Sequence, residues 1–456
     1  MDGMACLPVV ACAAVALTSA SAAPFVVEYP VAMALVQRAA TGTTAVPVRV
    51  RAAGAVAPQA IEARWQDGPW QALTWDAAAQ RFHGQVQAPT GQGLLAVRDP
   101  AVPTEAATVE PVLVGDLFVI TGQSNADGRG AEMVALAAAN PFLGAKYRAG
   151  QWSRGDDPSD DEGKCASPWP IVLNALIPVQ KVPMGFIQAA VGSTVVRQWR
   201  RGGDMFARME AMVSEATGGT LAVKAVLYYQ GENDITHHNT LSVLGDYEQY
   251  RTHLRAVVDD MQGLLRAPVL VGQITNLLDM PERNNGVRRA QQEIWDAGPP
   301  ALPGAVAYDI FPTDGVHYRD AQNLRAFAER WAFAVSNALY TPVPVPRPRL
   351  LSVLASGPAA LTLSYDRPLA ISAWTGEAGP RAYGVRVTSA TAVLTDAEVT
   401  ATDLAGSGVT VSFAKPLPPG ALFWYGSGSD GQGKAVLRDA VTGSPVPLVF
   451  GVPVGP

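Results

Sequence analysis

Apolar residues come in two kinds of run along this chain. In the middle they form short unbroken stretches, Leu117–Ile120, Met184–Ala189, Ala225–Tyr229, Val269–Ile274 and Ala305–Ile310. Runs of this length, closed by glycine and polar residues, predict buried strands. Between them Met205–Ala216, Tyr247–Leu265 and Val287–Trp295 read as helices, and Asp320–Leu339 as a last one. Strand–helix alternation predicts a parallel sheet with helices on both faces. On either side the pattern changes to strict alternation. Val46-Pro47-Val48-Arg49-Val50-Arg51 and the stretch around Ile61–Trp65 alternate before the middle, and Leu361–Tyr365 and Val409–Phe413 after it. Turn signals such as Asp67-Gly68-Pro69 and Gly91-Gln92-Gly93 separate these runs, which predicts small β-sandwich-like domains at both ends.

The expected order is a leader at 1–22, a β-sandwich-like domain at 23–111, an α/β domain at 112–340, a linker at 341–349 and a C-terminal β domain at 350–456. The linker, Thr341 to Arg349, reads TPVPVPRPR, and proline at that density stops a helix and stiffens an extended chain. The leader has an apolar core from Leu7 to Leu17 and small residues at Ala20-Ser21-Ala22, as a cleaved export signal does, although its start carries Asp2 and no Lys or Arg. A secreted or periplasmic protein is expected, with a lipoprotein anchored through Cys12 as the weaker alternative. Cys6 and Cys12 would leave with the leader, so Cys165 would stand alone and no intramolecular disulfide is expected. No other segment reads as a transmembrane helix.

Composition narrows the function classes. The 456 residues are 48% hydrophobic and 16% charged, which fits well-buried globular domains. The net charge is -6 and there is no basic stripe, so nucleic acid is not an expected partner. No Cys/His cluster has zinc spacing, and the acidic run Asp156–Gly163 lacks the calcium-loop pattern, so no metal is expected. His237 and His238 are adjacent and suit a solvated loop; His83 falls in the first β region and His253 on a polar helix.

Four stretches at predicted strand ends can carry chemistry. Gly122-Gln123-Ser124-Asn125 puts a serine between a strand and a helix, where it is either a nucleophile with its own N–H poised for an oxyanion or an ordinary helix cap. Ala190-Val191-Gly192-Ser193-Thr194 offers a glycine N–H that can approach a ligand closely, or simply a turn. Tyr229-Gln230-Gly231-Glu232-Asn233-Asp234 places a carboxamide at a strand end, as an oxyanion donor or a polar turn. Asp314 and His317 stand three apart before the last helix, a spacing that lets the carboxylate orient one imidazole nitrogen and leaves the other to act as a base.

Together and in this order, the stretches resemble the SGNH hydrolase superfamily, and most closely its sialate O-acetylesterase-like carbohydrate esterases. VGDLFVITGQSNADG resembles the nucleophile block, AAVGSTVVRQW the second and YYQGEND the third; VRRAQQEIW resembles a helix of such enzymes, and TDGVHYRDAQNLRAFAERWA the closing D-x-x-H block. The likeness covers about 112 to 340 and implies a three-layer α/β/α, flavodoxin-like domain. It implies Ser124 as nucleophile, His317 as base and then acid, and Asp314 as its orienter. The oxyanion hole would combine the N–H groups of Ser124 and Gly192 with the side chain of Asn233. One departure is Q-G-E-N-D where sialate-type members read Q-G-E-S-N; alignment to that branch puts Asp234 at the amide position, but an ionised carboxylate is a poor donor, so Asn233 is preferred. Gln123 and Glu232 are candidates to line the substrate pocket or to stabilise its loops, and Trp199 is a candidate to line it. The implied activity needs no cofactor and acts on an acetylated carbohydrate. Alternatives are a lipase or thioesterase for longer acyl chains, an acetyltransferase, and a non-catalytic carbohydrate-binding protein. Trp65, Trp70 and Trp75 could offer sugar-stacking faces, though core positions suit them better, and the insertion at about 128–170 has no legible shape.

Overall fold

A single strand, Ala107–Gly122, organises two of the three regions in the computed structural model. Its first half pairs antiparallel with Gly91–Arg98 and parallel with Leu35–Gln37. Its second half pairs parallel with Met184–Gln188 on one side and Ala225–Tyr229 on the other. Val112 and Val114 point into the N-terminal core, with Val46, Val48 and Val50, while Leu113 and the run Leu117–Ile120 belong to the central core. The boundary expected at 111–112 therefore falls inside a continuous strand. The structure describes residues 25–53, 59–104, 106–138, 143–236, 238–275, 277, 280–372, 384–426 and 436–456. The expected leader, His237 and most of the glycine-rich turn at 426–433 lie outside the described residues.

The central sheet runs Gln151–Arg154, Gly144–Arg148, Met184–Gln188, Ala107–Gly122, Ala225–Tyr229, Val269–Gln273, Ala301–Val306, parallel except for the first strand. Both faces are covered, which is why its strands are apolar throughout rather than alternating. On one face Tyr229 packs on Phe327 of helix Ala321–Leu339, with ring centroids 4.7 Å apart. Its neighbour Tyr228 points the other way, towards Trp199 and Tyr250 of helix Tyr247–Leu265. The fold is thus a mixed α/β core with parallel strands and helices, with separate antiparallel sheets at both ends. The C-terminal region contains one antiparallel sheet built on Leu350–Gly357, Ala360–Tyr365, Gly408–Phe413 and Val399–Ala405, and a second that includes Val385–Thr388, Leu422–Tyr425 and Val449–Pro453.

One expectation changes, and one unread segment gains a shape. The last central strand is Ala301–Val306, not Ala305–Ile310. Ala307, Tyr308 and Ile310 are buried in the turn that follows, so their apolar character reflects tertiary packing and not strand pairing. The insertion at 128–170 adds the hairpin Gly144–Arg148/Gln151–Arg154 to the sheet edge. Among the described residues no helix is long and apolar enough to cross a membrane.

A buried ion pair ties the regions together. Asp116, fully buried on the shared strand, accepts from Arg38 Nε and Nη2 at 2.9 and 2.8 Å, and from the Tyr340 hydroxyl at 2.7 Å. Removing one partner of a buried pair leaves an uncompensated charge and costs about 3–5 kcal/mol when both are deeply buried. Arg38 keeps 28% of its side chain exposed, so some of that cost is screened. Arg38→Met is expected to destabilise the protein by about 2 kcal/mol, read as a lowered urea midpoint, whereas a surface change such as Arg251→Met should leave it unmoved.

Candidate active site

The shared strand ends where only glycine fits. Gly122 has φ 116°, and a Cβ there would lie 1.9 Å from the carbonyl oxygen of Tyr229 on the neighbouring strand. The chain then turns through Gln123 into the short helix Ser124–Asp127. The cap position belongs to Gln123, whose side chain makes no capping bond, so Ser124 is the first helical residue and not its cap. Its N–H is one of the donors that a helix start leaves without an intrahelical partner. Its Oγ lies 3.1 Å from His317 Nε2.

His317 is held on its other side. Nδ1 lies 3.1 Å from Asp314 Oδ2, and Asp314 Oδ1 accepts the backbone N–H groups of His317 and Val316 at 2.6 and 2.9 Å. Arg319 Nε donates to Asp314 Oδ2 at 2.6 Å. Burial works against the charge on Asp314, but the His317 N–H, Arg319 and the Val316 N–H outweigh it and hold the carboxyl well below the usual range. Burial lowers the imidazole of His317, and the hydrogen bond and charge of Asp314 offset this only in part; the cations Arg319 and Arg129 lower it further. At neutral pH the imidazole is therefore uncharged, with Nε2 able to accept a proton from Ser124.

The proposed oxyanion donors lie around Ser124. A side chain on Gly192 would collide with Arg129 Nη2 and approach within 3.9 Å of Ser124 Cβ, which places this glycine against the serine. The loop is fixed by Val191 N–H donating to Gly122 O at 3.0 Å. Asn233 lines the same cavity as Ser124; its Nδ2 donates to Ser193 O at 2.5 Å, and its backbone N–H to Gln123 Oε1 at 3.0 Å. Asp234 is buried elsewhere. Its carboxylate accepts from Val196 N, Gln230 Nε2 and Val243 N, and burial raises it to about 6 despite these bonds. The cavity has a volume of about 490 Å³, and its lining includes polar Ser193 and Asn233 and apolar Ile235, Leu277, Met280 and Val316.

Gln123 and Glu232 border this cavity but are engaged in holding it together. Gln123 Oε1 also accepts from Gln230 Nε2 at 3.2 Å. Trp199 does not line it: the side chain is fully buried, edge-on to Tyr228, with Nε1 donating to Thr194 Oγ1 at 3.1 Å. Its place in the second block is structural. Sequence reasoning missed Asn125. Nδ2 of Asn125 donates to Val316 O at 3.0 Å and its Oδ1 accepts Tyr318 N–H at 3.3 Å, so one side chain grips the backbone on both sides of His317. Glu232 Oε1 accepts from the same Nδ2 at 2.7 Å and orients the amide. Burial raises Glu232 to about 7. Arg129 and Arg319 were missed as well, since no motif marks a cation set by its fold beside a histidine. Among the described residues there is no cluster of three or more His, Cys, Asp or Glu that could hold a metal ion.

The parallel core, with these blocks meeting beyond its strand ends, is an SGNH-like fold. A crystal structure of XAC1771, a novel carbohydrate acetylesterase from Xanthomonas citri, superimposes over 92% of this chain and 97% of that one, with a TM-score of 0.66 and 18% identity. Residues 114–335 match the family described as carbohydrate esterase, sialic acid-specific acetylesterase. A probable carbohydrate esterase, At4g34215 of Arabidopsis thaliana, is 24% identical over 182 residues, covering 35% of this chain and 68% of the relative.

Three outcomes follow from the geometry. Asn125→Ala removes both backbone grips on His317, and a displacement of about 1 Å in a reacting group costs on the order of 10²-fold in rate. The expected result is a kcat loss of that order with KM little changed, measured by steady-state ester hydrolysis. His317 must be neutral to accept a proton, and its pKa lies below the ordinary 6.5, so kcat/KM should hold as pH falls through 6.5 and drop only below it. Arg319→Gln removes a cation that disfavours the imidazolium, so the acid limb of the pH profile should move upward.

Proposed function

We propose that this protein is an exported carbohydrate O-acetylesterase that removes acetyl groups through a Ser124–His317–Asp314 acyl-enzyme mechanism. The observation that carries the reading is the continuous relay: Ser124 Oγ to His317 Nε2 at 3.1 Å, and His317 Nδ1 to Asp314 Oδ2 at 3.1 Å. Ser124 gives its proton to His317 Nε2 as Oγ attacks the acetyl carbonyl. The resulting oxyanion takes hydrogen bonds from the N–H groups of Ser124 and Gly192 and from Asn233, each worth about 3 kcal/mol in sites of this kind. As the tetrahedral intermediate collapses, the bond to the sugar oxygen breaks and that oxygen takes the proton from the imidazolium. Water, deprotonated by the same imidazole, then attacks the acyl carbonyl; as the second tetrahedral intermediate collapses, the bond to Ser124 Oγ breaks, Oγ takes the proton back from the imidazolium and acetate leaves. Asp314 stays ionised throughout and favours the charged imidazole in both steps.

The carbohydrate substrate is supported by the family that residues 114–335 match and by the polar side chains of Ser193 and Asn233 in the cavity lining. Export rests on the apolar core and A-x-A pattern of the N-terminus. A second reading, hydrolysis of longer acyl esters, is favoured by the apolar residues Ile235, Leu277, Met280 and Val316 in the cavity lining. Acetate release from 4-nitrophenyl acetate and from a panel of acetylated glycans, beside 4-nitrophenyl butyrate and octanoate, separates the two. The expected outcome is preference for acetyl, with loss of at least about 10³-fold in kcat for Ser124→Ala. Preference for the octanoate would select the second reading. A folded Ser124→Ala variant with wild-type turnover would sink the serine mechanism.

A further inference from the structure

The C-terminal region touches the central domain at the root of the loop that carries Asp314 and His317. Asp309, five residues before Asp314, has a carboxylate that is only 2% exposed. It needs positive charge, because an isolated buried carboxylate is strongly disfavoured. Two guanidinium groups meet one of its oxygens. Arg330, on helix Ala321–Leu339, donates to Oδ2 at 3.1 Å. Arg438, on the C-terminal strand Leu437–Asp439, reaches the same oxygen at 2.5 Å. Arg438 is itself fixed within its own region, where its Nε donates to Ser372 Oγ at 3.2 Å. Beside this pair the Tyr308 hydroxyl donates to Val446 O at 2.5 Å.

Beyond Asp309 the loop is pinned at intervals. Thr275 Oγ1 donates to Ile310 O at 2.5 Å, Asn323 Nδ2 donates to Phe311 O at 2.6 Å, and Asn125 holds Val316 and Tyr318. The far end is therefore set by the central domain and the near end by both. We propose that Arg438 is a positioning residue for His317: the C-terminal region grips Asp309 and thereby fixes the origin of the loop that presents the base to Ser124. This rests on the reading of Ser124, His317 and Asp314 as the reacting relay. The C-terminal region is then part of the scaffold of the site, whatever else it binds.

The test uses the full chain and 4-nitrophenyl acetate. Arg438→Gln is expected to lower kcat by at least about tenfold with KM within about twofold, since a displaced base slows the chemical step and leaves ground-state binding intact. Arg438→Lys, which keeps the charge, should recover most of the loss. Ser372→Ala, a milder change that frees only the Nε anchor of Arg438, should lower kcat by about two- to fivefold with the same split, and keeps the proposal testable if Arg438→Gln does not fold. Gln292→Ala is the control. Gln292 exchanges two hydrogen bonds of 3.0 Å with the backbone of Leu448 across the same junction, away from the loop. Its loss should lower Tm and leave kcat within about twofold. A folded Arg438→Gln protein with wild-type kcat would overturn the proposal, as would losses in all four variants that simply follow Tm. Ser124→Ala, run in parallel, separates the levels. If it is inactive while Arg438→Gln is normal, only the positioning role fails; if it stays active, the relay itself fails.

Discussion

Asn125 is the side chain on which the geometry of the site depends. It stands next to Ser124, yet its amide closes bonds to the backbone either side of His317, 191 and 193 residues further along the chain. A buried amide is expensive to leave unsatisfied, so these bonds and the one to Glu232 are strongly favoured once the loops are in place. Glu232 in turn belongs to the third block, beside Asn233. The nucleophile, third and histidine blocks thus share one hydrogen-bond unit, and the second block joins it through Gln230, which donates to Thr194 O at 3.2 Å as well as to Gln123. The distances around Ser124 follow from that unit rather than from each loop separately.

Charge around the histidine is arranged in layers. Asp314 is kept ionised by the N–H groups of its own turn and by Arg319. Arg129, held by Asp127 at 2.6 Å, faces Gly192 and adds a second cation near the imidazole. Burial and the two arginines oppose the imidazolium while Asp314 favours it, so His317 is held below its ordinary pKa and rests neutral at neutral pH. A base with this balance keeps its resting state available into acid solution while retaining a partner for the charge that develops during turnover.

Much of the fold was legible in the apolar pattern. Unbroken runs such as Leu117–Ile120 and Ala225–Tyr229 have no polar face because helices cover both sides of the sheet, and the alternating runs at 46–51 and 409–413 have one because each flanking sheet is covered once. Ala305–Ile310 misled because burial under the C-terminal region also makes a turn apolar. The site was legible where chemistry depends on residues near in sequence: Asp314 and His317 sit three apart, and Ser124 closes a strand. It was illegible where the determinant is long-range. Trp199 reads as a pocket aromatic by its block but packs inward against Tyr228, and Asn125 carries no local sign of a partner 191 residues away. Arg438 meets Asp309 from a region whose own pattern says only β.

The strand Ala107–Gly122 bears on how such a protein can be assembled from parts. Regions that are exchanged as cassettes between proteins are usually joined by segments that belong to neither side. The Pro-rich stretch 341–349 lies between a helix and a strand, so the C-terminal region can be joined there without cutting a strand, while Val345 bonds Asn337 and Arg347 lies over the Trp295 ring. At the other end no such seam exists. The backbone that closes the N-terminal sheet is the backbone that delivers Ser124, and Val112 and Leu113, adjacent in the chain, serve different cores. An exchange at this junction would have to preserve the register of both sheets at once. The two flanking β regions, similar in outline, are therefore unequal in inheritance: one can be acquired as a unit, and the other has to change together with the nucleophile strand.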